Sequence, residues 1–317
     1  SSVLLLLVLQ IWEVANNKEL FLDNKFLIRF SVISLLVIFL RNNGIFIIFI
    51  TFLVLAIVIR KKLAKKIFWK KIIPTFAGVI IVSILIQGPL FSALHIGPSP
   101  ISESVGIPLG QIEAVVANDG TLSDKDKSVI EQIAPLENWK ADYAPKSVDL
   151  LKFDPAFDNN WFYNNTGTFF ATYLSIGQKN ISTYISQYLS QTGSLWNPLE
   201  MGYYSKYNHV QMNELNLYSV DQIGVAPFLD SLFSVQIFRI ILFNTGALIW
   251  YLFALVALFI YRKQKHLILP LVPLLTLWGT NMIAIPANVA RYQLPIFLAL
   301  PLLIFILTKS KNKRFTP

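Results

Sequence analysis

Cysteine is absent from all 317 residues. Without thiols there is no disulfide framework, no zinc–thiolate site and no thiol nucleophile. A sizeable segment outside a membrane with no disulfide fits a bacterial envelope better than an animal secretory pathway. Charge is scarce too: Asp, Glu, Lys and Arg make up 14% of the chain, against about 25% in a soluble domain. Histidine occurs only at His95, His209 and His266, in no metal-binding spacing, and neither a Gly-rich phosphate loop nor an H-E-x-x-H motif is present. No acidic residue lies inside the apolar runs, Glu13 at a helix end apart. A proton- or sodium-coupled transporter ordinarily places ionisable groups near the bilayer midplane, so this absence disfavours one.

What the chain has in excess is apolar sequence. Hydrophobic residues make up 54% and the mean hydropathy is +0.55. They fall in two blocks, before Gly97 and after Phe238, around a polar stretch rich in Asn, Asp, Ser, Tyr and Trp. A soluble domain cannot hide that much apolar surface. The expected fold is all-α: a multi-pass transmembrane bundle with a mainly helical extracytoplasmic domain. The segments are 1–97, transmembrane; 98–236, extracytoplasmic; and 237–317, transmembrane with a basic cytoplasmic tail. The net charge of +9 comes largely from Arg60-Lys61-Lys62, Lys65-Lys66, Lys70-Lys71, Arg262 to His266, and Lys309, Lys311, Lys313 and Arg314. These cations flank apolar runs, so they read as topology signals facing an anionic leaflet and not as a nucleic-acid surface.

Ser1-Ser2 runs straight into Val3 to Leu9 with no initiator Met and no basic region ahead of it. This reads as the back half of a transmembrane helix ending near Trp12, and the chain as the C-terminal part of a longer protein. Further helices are expected over 26–40, 45–59, 72–95, 238–261, 267–285 and 293–307. An even number of crossings separates the three basic clusters, so one choice puts all of them in the cytoplasm. The same choice puts the Arg41-Asn42-Asn43-Gly44 turn, the polar stretch and Pro286 to Arg291 on the outer face. Singly, Arg41 and Arg291 read as snorkelling side chains. Together, beside a polar insertion, they read as an anionic-ligand site suited to a lipid-linked phosphate.

Within the polar stretch, Ser123-Asp124-Lys125-Asp126 predicts a helix N-cap with an acidic first turn, followed by Val129, Ile130 and Ile133 and ended by Pro135. Ile181, Tyr184, Ile185, Tyr188 and Leu189 form a helical stripe. Its readings are core packing or a face lying along the membrane interface, with a sugar-stacking platform as the alternative. Asp154, Asp158, Trp161, Trp196, Tyr203 and Tyr204 are residue types that bind polyols, and Asp154 with Asp158 could hold a divalent cation; exposed loops use the same residues. No cofactor is required by the sequence, and no metal ligand set is assigned.

Several segments, in order along the chain, resemble a family of Gram-positive membrane proteins. They are Arg41-Asn42-Asn43-Gly44, Gly88-Pro89-Leu90, Glu103 to Gln111, the helix ending in Trp196-Asn197-Pro198, and Pro286-Ala287-Asn288-Val289-Ala290-Arg291-Tyr292. The last is similar to that family's P-x-N-x-x-x-R-Y element, with one residue fewer between Asn288 and Arg291. Its members resemble C-type membrane glycosyltransferases. The resemblance implies transfer of a sugar from a polyprenyl-phosphate carrier, at the outer face of the cell membrane, to a cell-envelope glycan, teichoic acid or lipid. It also implies that the catalytic carboxylates lie upstream of Ser1. The expected substrate-binding residues are Arg41, Asn42, Asn43, Asn288, Arg291 and Tyr292 around the phosphate, with Glu103 and Gln111 toward the sugar. Non-catalytic polymer export or scaffolding is the alternative function, and a transporter comes third. The expected partners are the lipid bilayer, the lipid-linked sugar and the envelope acceptor, with no nucleic acid.

Overall fold

The computed structural model describes residues 1–59, 68–97, 100–200, 225–238 and 244–311. The basic residues of 60–66, Pro98, Tyr203, Tyr204, His209, Lys313 and Arg314 lie outside the described residues. Among those described, regular structure is helical, and strand-like pairing is limited to two isolated bridges.

Helix α1 (Ser2–Asn16) runs a full turn past Trp12, further than the apolar run alone suggests. The Asn16 amide donates to the Trp12 carbonyl at 2.8 Å, and Glu13 pairs with Arg29 of the next helix at 2.6 Å. That helix, α2 (Asn24–Leu40), starts where the Asp23 carboxylate accepts the Lys25 amide N–H. It ends in the Arg41 turn, and α3 (Gly44–Ile59) follows at once. A Cβ at Gly44 would strike the Val37 carbonyl, so only glycine lets the two helices meet this closely. α4 (Phe68–Ala93) carries π-helical turns at Phe68–Ile72 and Ile86–Leu90, the second containing Pro89, which has no N–H to give the ladder.

A second helical unit follows: α5 (Gly106–Ala117), α6 (Asp124–Ile130), α7 (Leu136–Ala141), α8 (Asp149–Lys152), α9 (Trp161–Lys179) and α10 (Ile181–Thr192). The expected cap of α6 is a full capping box between Ser123 and Asp126. Burial raises the Asp126 carboxyl, but hydrogen bonds from Lys179 and Ser123 outweigh it and hold the group at about 2. The helix ends at Ile130, short of Pro135, and the Trp139 indole N–H lies against the carbonyls of Ile130 and Ala134 in the turn that follows. Trp139, Phe162 and Phe169 are fully buried in this unit's own core, each worth on the order of 2–3 kcal/mol.

After α11 (Val225–Ser234), three apolar helices close the chain: α12 (Thr245–Tyr261), α13 (Lys265–Ala284) and α14 (Leu294–Lys311). α12 starts at Thr245, where the Asn244 side chain caps it by accepting the Ala247 N–H at 2.9 Å; residues 239–243 of the helix expected from Phe238 lie outside the described residues. The first part of α13 is 3-10 helix around Pro270. Residues 68–93, 265–284 and 290–309 are long and apolar enough to cross a membrane; α1, α3 and α12 are shorter apolar helices. A single hydrophobic core joins α1, α2, α3, α4, α12, α13 and α14, with α1 packed against α2, α13 and α14.

The two units are locked at one seam. The Gln191 amide donates to the carbonyls of Gly106, Ile285 and Pro286 at 3.1, 2.9 and 3.2 Å. Trp278 and Trp250 donate their indole N–H groups to the carbonyls of Leu195 and Trp196. Gly106 sits so close to the Pro286 backbone that a Cβ would collide with it.

Candidate functional site

The turn that ends α2 and the loop that leads into α14 meet at the same end of the helical bundle. Arg41 is half-buried there. Its Nε–H donates to Asn43 Oδ1 and an Nη2–H to the Tyr292 carbonyl, each at 3.4 Å. Asn43 is fixed by donating to Thr280 Oγ1 at 2.6 Å and Asn281 Oδ1 at 3.3 Å, while Asn281 donates to the same Tyr292 carbonyl. The Arg291 guanidinium lies over the Tyr292 phenol ring at 5.2 Å and reaches its hydroxyl at 3.4 Å. Both arginines therefore contact one tyrosine, Arg41 at its carbonyl from 251 residues away in the chain and Arg291, its neighbour, at the ring.

Their electrostatic settings differ. Arg291 is exposed and lies within electrostatic range of Asp149 and Glu103. Arg41 has only neutral acceptors, and it forms no ion pair among the described residues. Both of its hydrogen bonds are long, so several of its five N–H donors are weakly used. A fixed, partly desolvated guanidinium without a carboxylate is suited to a bidentate oxyanion.

The other expected site residues fall elsewhere. Asn42 is exposed at the turn and contributes nothing to the Arg41 network. Asn288 is 1% exposed and sits in the seam. Its N–H donates to the Lys146 carbonyl at 2.7 Å, and its side chain binds Ser194 and Glu200. It works as a clip between the units, which leaves no amide for a ligand. Gln111 is buried in the second unit, accepting the Tyr173 hydroxyl at 2.7 Å and donating to the Tyr184 carbonyl at 2.9 Å; both ends of the amide are used. Glu103 is near the arginines but already paired, at 2.7 Å, with Lys152, whose side chain is 2% exposed and also reaches Asp149 at 3.4 Å.

The polyol-type residues divide in the same way. Asp158 caps α9 by accepting the N–H groups of Asn160 and Trp161, and Asp154 accepts that of Ala156. Both are occupied as turn formers, and among the described residues no group of three or more His, Asp or Glu could hold a metal ion. Trp161 belongs to the core. The stripe on α10 splits: Tyr184 is buried and stacks on Tyr173 at 5.1 Å, while Ile181, Ile185 and Leu189 face outward.

Sequence reasoning missed one chemically unusual group. Glu113 is wholly buried on α5, and neither carboxyl oxygen has a hydrogen-bond partner. Burial, and then the nearby charge of Asp142, push it up to about 9. The available signal was that Glu113 is the single charge in an otherwise apolar twelve-residue helix.

The chain matches no curated protein and no solved structure. Residues 2–316 match a family of unknown function, DUF6020, and the chain belongs to that family.

Proposed function

We propose that this chain is a multi-pass membrane protein that binds a polyprenyl-phosphate-linked sugar at its outer face, as part of a glycosyltransferase acting on the cell envelope. The observation that carries the reading is the half-buried Arg41, held by neutral groups only, at the carbonyl of the same Tyr292 whose ring Arg291 covers. Basic segments at the opposite helix ends orient this end outward under the positive-inside rule. A phosphate at this depth would find one guanidinium pre-set in place and a second at the rim.

One observation favours the non-catalytic alternative for this chain taken alone. The carboxylates near Arg291 are engaged, Glu103 and Asp149 both by Lys152, and Glu200 in the seam is paired with Lys146 at 2.6 Å. None is placed as a free general base. Binding is therefore assigned to these residues, and sugar transfer to the protein only as a whole.

Three measurements test this. The sequence has no cysteine, so single replacements report topology cleanly. An impermeant maleimide added to intact cells is expected to label Lys125→Cys on α6 and to spare Lys309→Cys; the reverse pattern would overturn the orientation. For the ligand, purified protein in nanodiscs is expected to bind a polyprenyl phosphate at least tenfold more tightly than the matching polyprenol, about 1.4 kcal/mol. Inorganic phosphate should compete weakly, because it lacks the chain that stays in the bilayer. Equal affinity for the phosphate and the alcohol would end the phosphate-site reading. Turnover of a lipid-linked sugar donor then separates an enzyme from a scaffold.

A further inference from the structure

We infer that the second helical unit is seated on the outer leaflet of the bilayer through the exposed face of α10; this rests on the membrane reading above. On α10, Ile181, Ile185 and Leu189 follow one another at four-residue steps and are 61%, 55% and 46% exposed. They form one line along the helix, and Ser182 and Ser186 are exposed next to them. The opposite side of α10, with Tyr184, Gln187 and Gln191, is buried against α5 and the seam. The outward line is therefore a true surface of the unit, with no cover among the described residues.

Three observations identify lipid as the occupant. First, the surface is almost free of charge: from Trp161 to Leu199 the one ionisable side chain of the Asp, Glu, Lys and Arg type is Lys179, and it is paired with Asp126 at 2.8 Å. A water-facing helical hairpin normally carries about one charge in four residues. Second, the face leads directly into the bundle. α10 continues through Leu195 and Trp196 to the indoles of Trp278 on α13 and Trp250 on α12, which hold it by hydrogen bonds. Trp250 is itself exposed on an apolar helix, the position of an interfacial aromatic belt. Third, the segment around the end of α11 is apolar and exposed as well: Phe228 on the helix, and Val235, Ile237 and Phe238 just after it. A protein partner would favour aromatic and arginine anchors. The α10 line is aliphatic residues beside serines, which suits fluid acyl chains just below the headgroups.

The seat would set the unit against the membrane, with its seam at the boundary where a lipid phosphate lies. The test uses single cysteines carrying an environment-sensitive fluorophore, in the full chain in nanodiscs that contain lipids with a nitroxide near the top of the acyl chain. Three positions are compared: Ile185→Cys on the proposed seat, Lys125→Cys on the exposed side of α6, and Ile84→Cys on the exposed face of α4. Quenching at position 185 should exceed that at position 125 by about threefold or more, and position 84 should be quenched too. Quenching at 84 but not at 185 would overturn the seat and leave the membrane reading standing. Quenching at neither would overturn the membrane reading itself. A 185 label that is unquenched but cross-links to a second copy would assign the face to self-association, and would equally overturn the lipid seat.

Discussion

Replacing Glu113 by Gln is expected to remove most of the alkaline loss of stability of this protein. Glu113 is wholly buried with both oxygens unpartnered, and its pKa is raised from 4.5 to about 9, by burial first and by Asp142 second. In the unfolded chain it ionises at the ordinary carboxylate value. Between those limits the folded state holds a proton that the unfolded state has released. Stability from this group is therefore fully present below about pH 4.5 and falls as pH rises toward 9, by up to about 1.4 kcal/mol per pH unit. Gln keeps the shape and cannot ionise. Apparent melting temperatures of nanodisc-embedded protein, taken from pH 6 upward to about pH 9, should show a clearly shallower decline for Glu113→Gln. The variant should overtake the parent at the alkaline end. Parallel curves would mean that Glu113 is ionised or hydrated in the folded protein.

Glu113 also shows what a sequence can and cannot disclose. A lone carboxylate in an apolar helix is visible at once. Whether it meets a cation, a second acid or nothing depends on α7, which ends at Ala141 just before Asp142. The all-helical class and the long apolar helices were legible for a simpler reason: apolar runs respond to solvent, a one-dimensional property of the chain. Helix ends were less so. Asn244 looked like part of an apolar run until its side chain was seen to cap α12. The amides were the least legible. Asn43, Asn288 and Gln111 offer the same donors and acceptors, yet one braces Arg41, one clips two units together and one bridges two tyrosines. Their chemistry was readable, but the partners that fix them, Thr280 and Asn281 for Asn43, Ser194 and Glu200 for Asn288, Tyr173 and Tyr184 for Gln111, lie 62 or more residues away and are set by packing. Arg41 stood out because a cation closes an apolar helix there, and the fold brings it to the Tyr292 carbonyl; Arg291 is next to Tyr292 in the chain itself.

Arg41→Lys is expected to weaken polyprenyl-phosphate binding by about 10- to 100-fold although the charge is retained, corresponding to one or two charge-assisted hydrogen bonds. The reason is geometric. The guanidinium is steered by Asn43 Oδ1 and the Tyr292 carbonyl, which leaves donors on a planar fork for an oxyanion. An ammonium is a point charge on a flexible stem and would satisfy those two carbonyl oxygens as readily as a ligand. Arg291→Lys should cost less, since Asp149 and Glu103 already offset its charge and it is exposed. Asn43→Ala should resemble Arg41→Lys in direction, because the brace is lost while the charge stays. That separates positioning from simple charge. Binding to the phosphate lipid in nanodiscs at two salt concentrations reads all three. Affinity loss in the order Arg41→Lys above Arg291→Lys, with the polyprenol unaffected, supports a built phosphate site. Equal and small losses, both abolished by added salt, would instead return the two arginines to side chains that merely reach into headgroups.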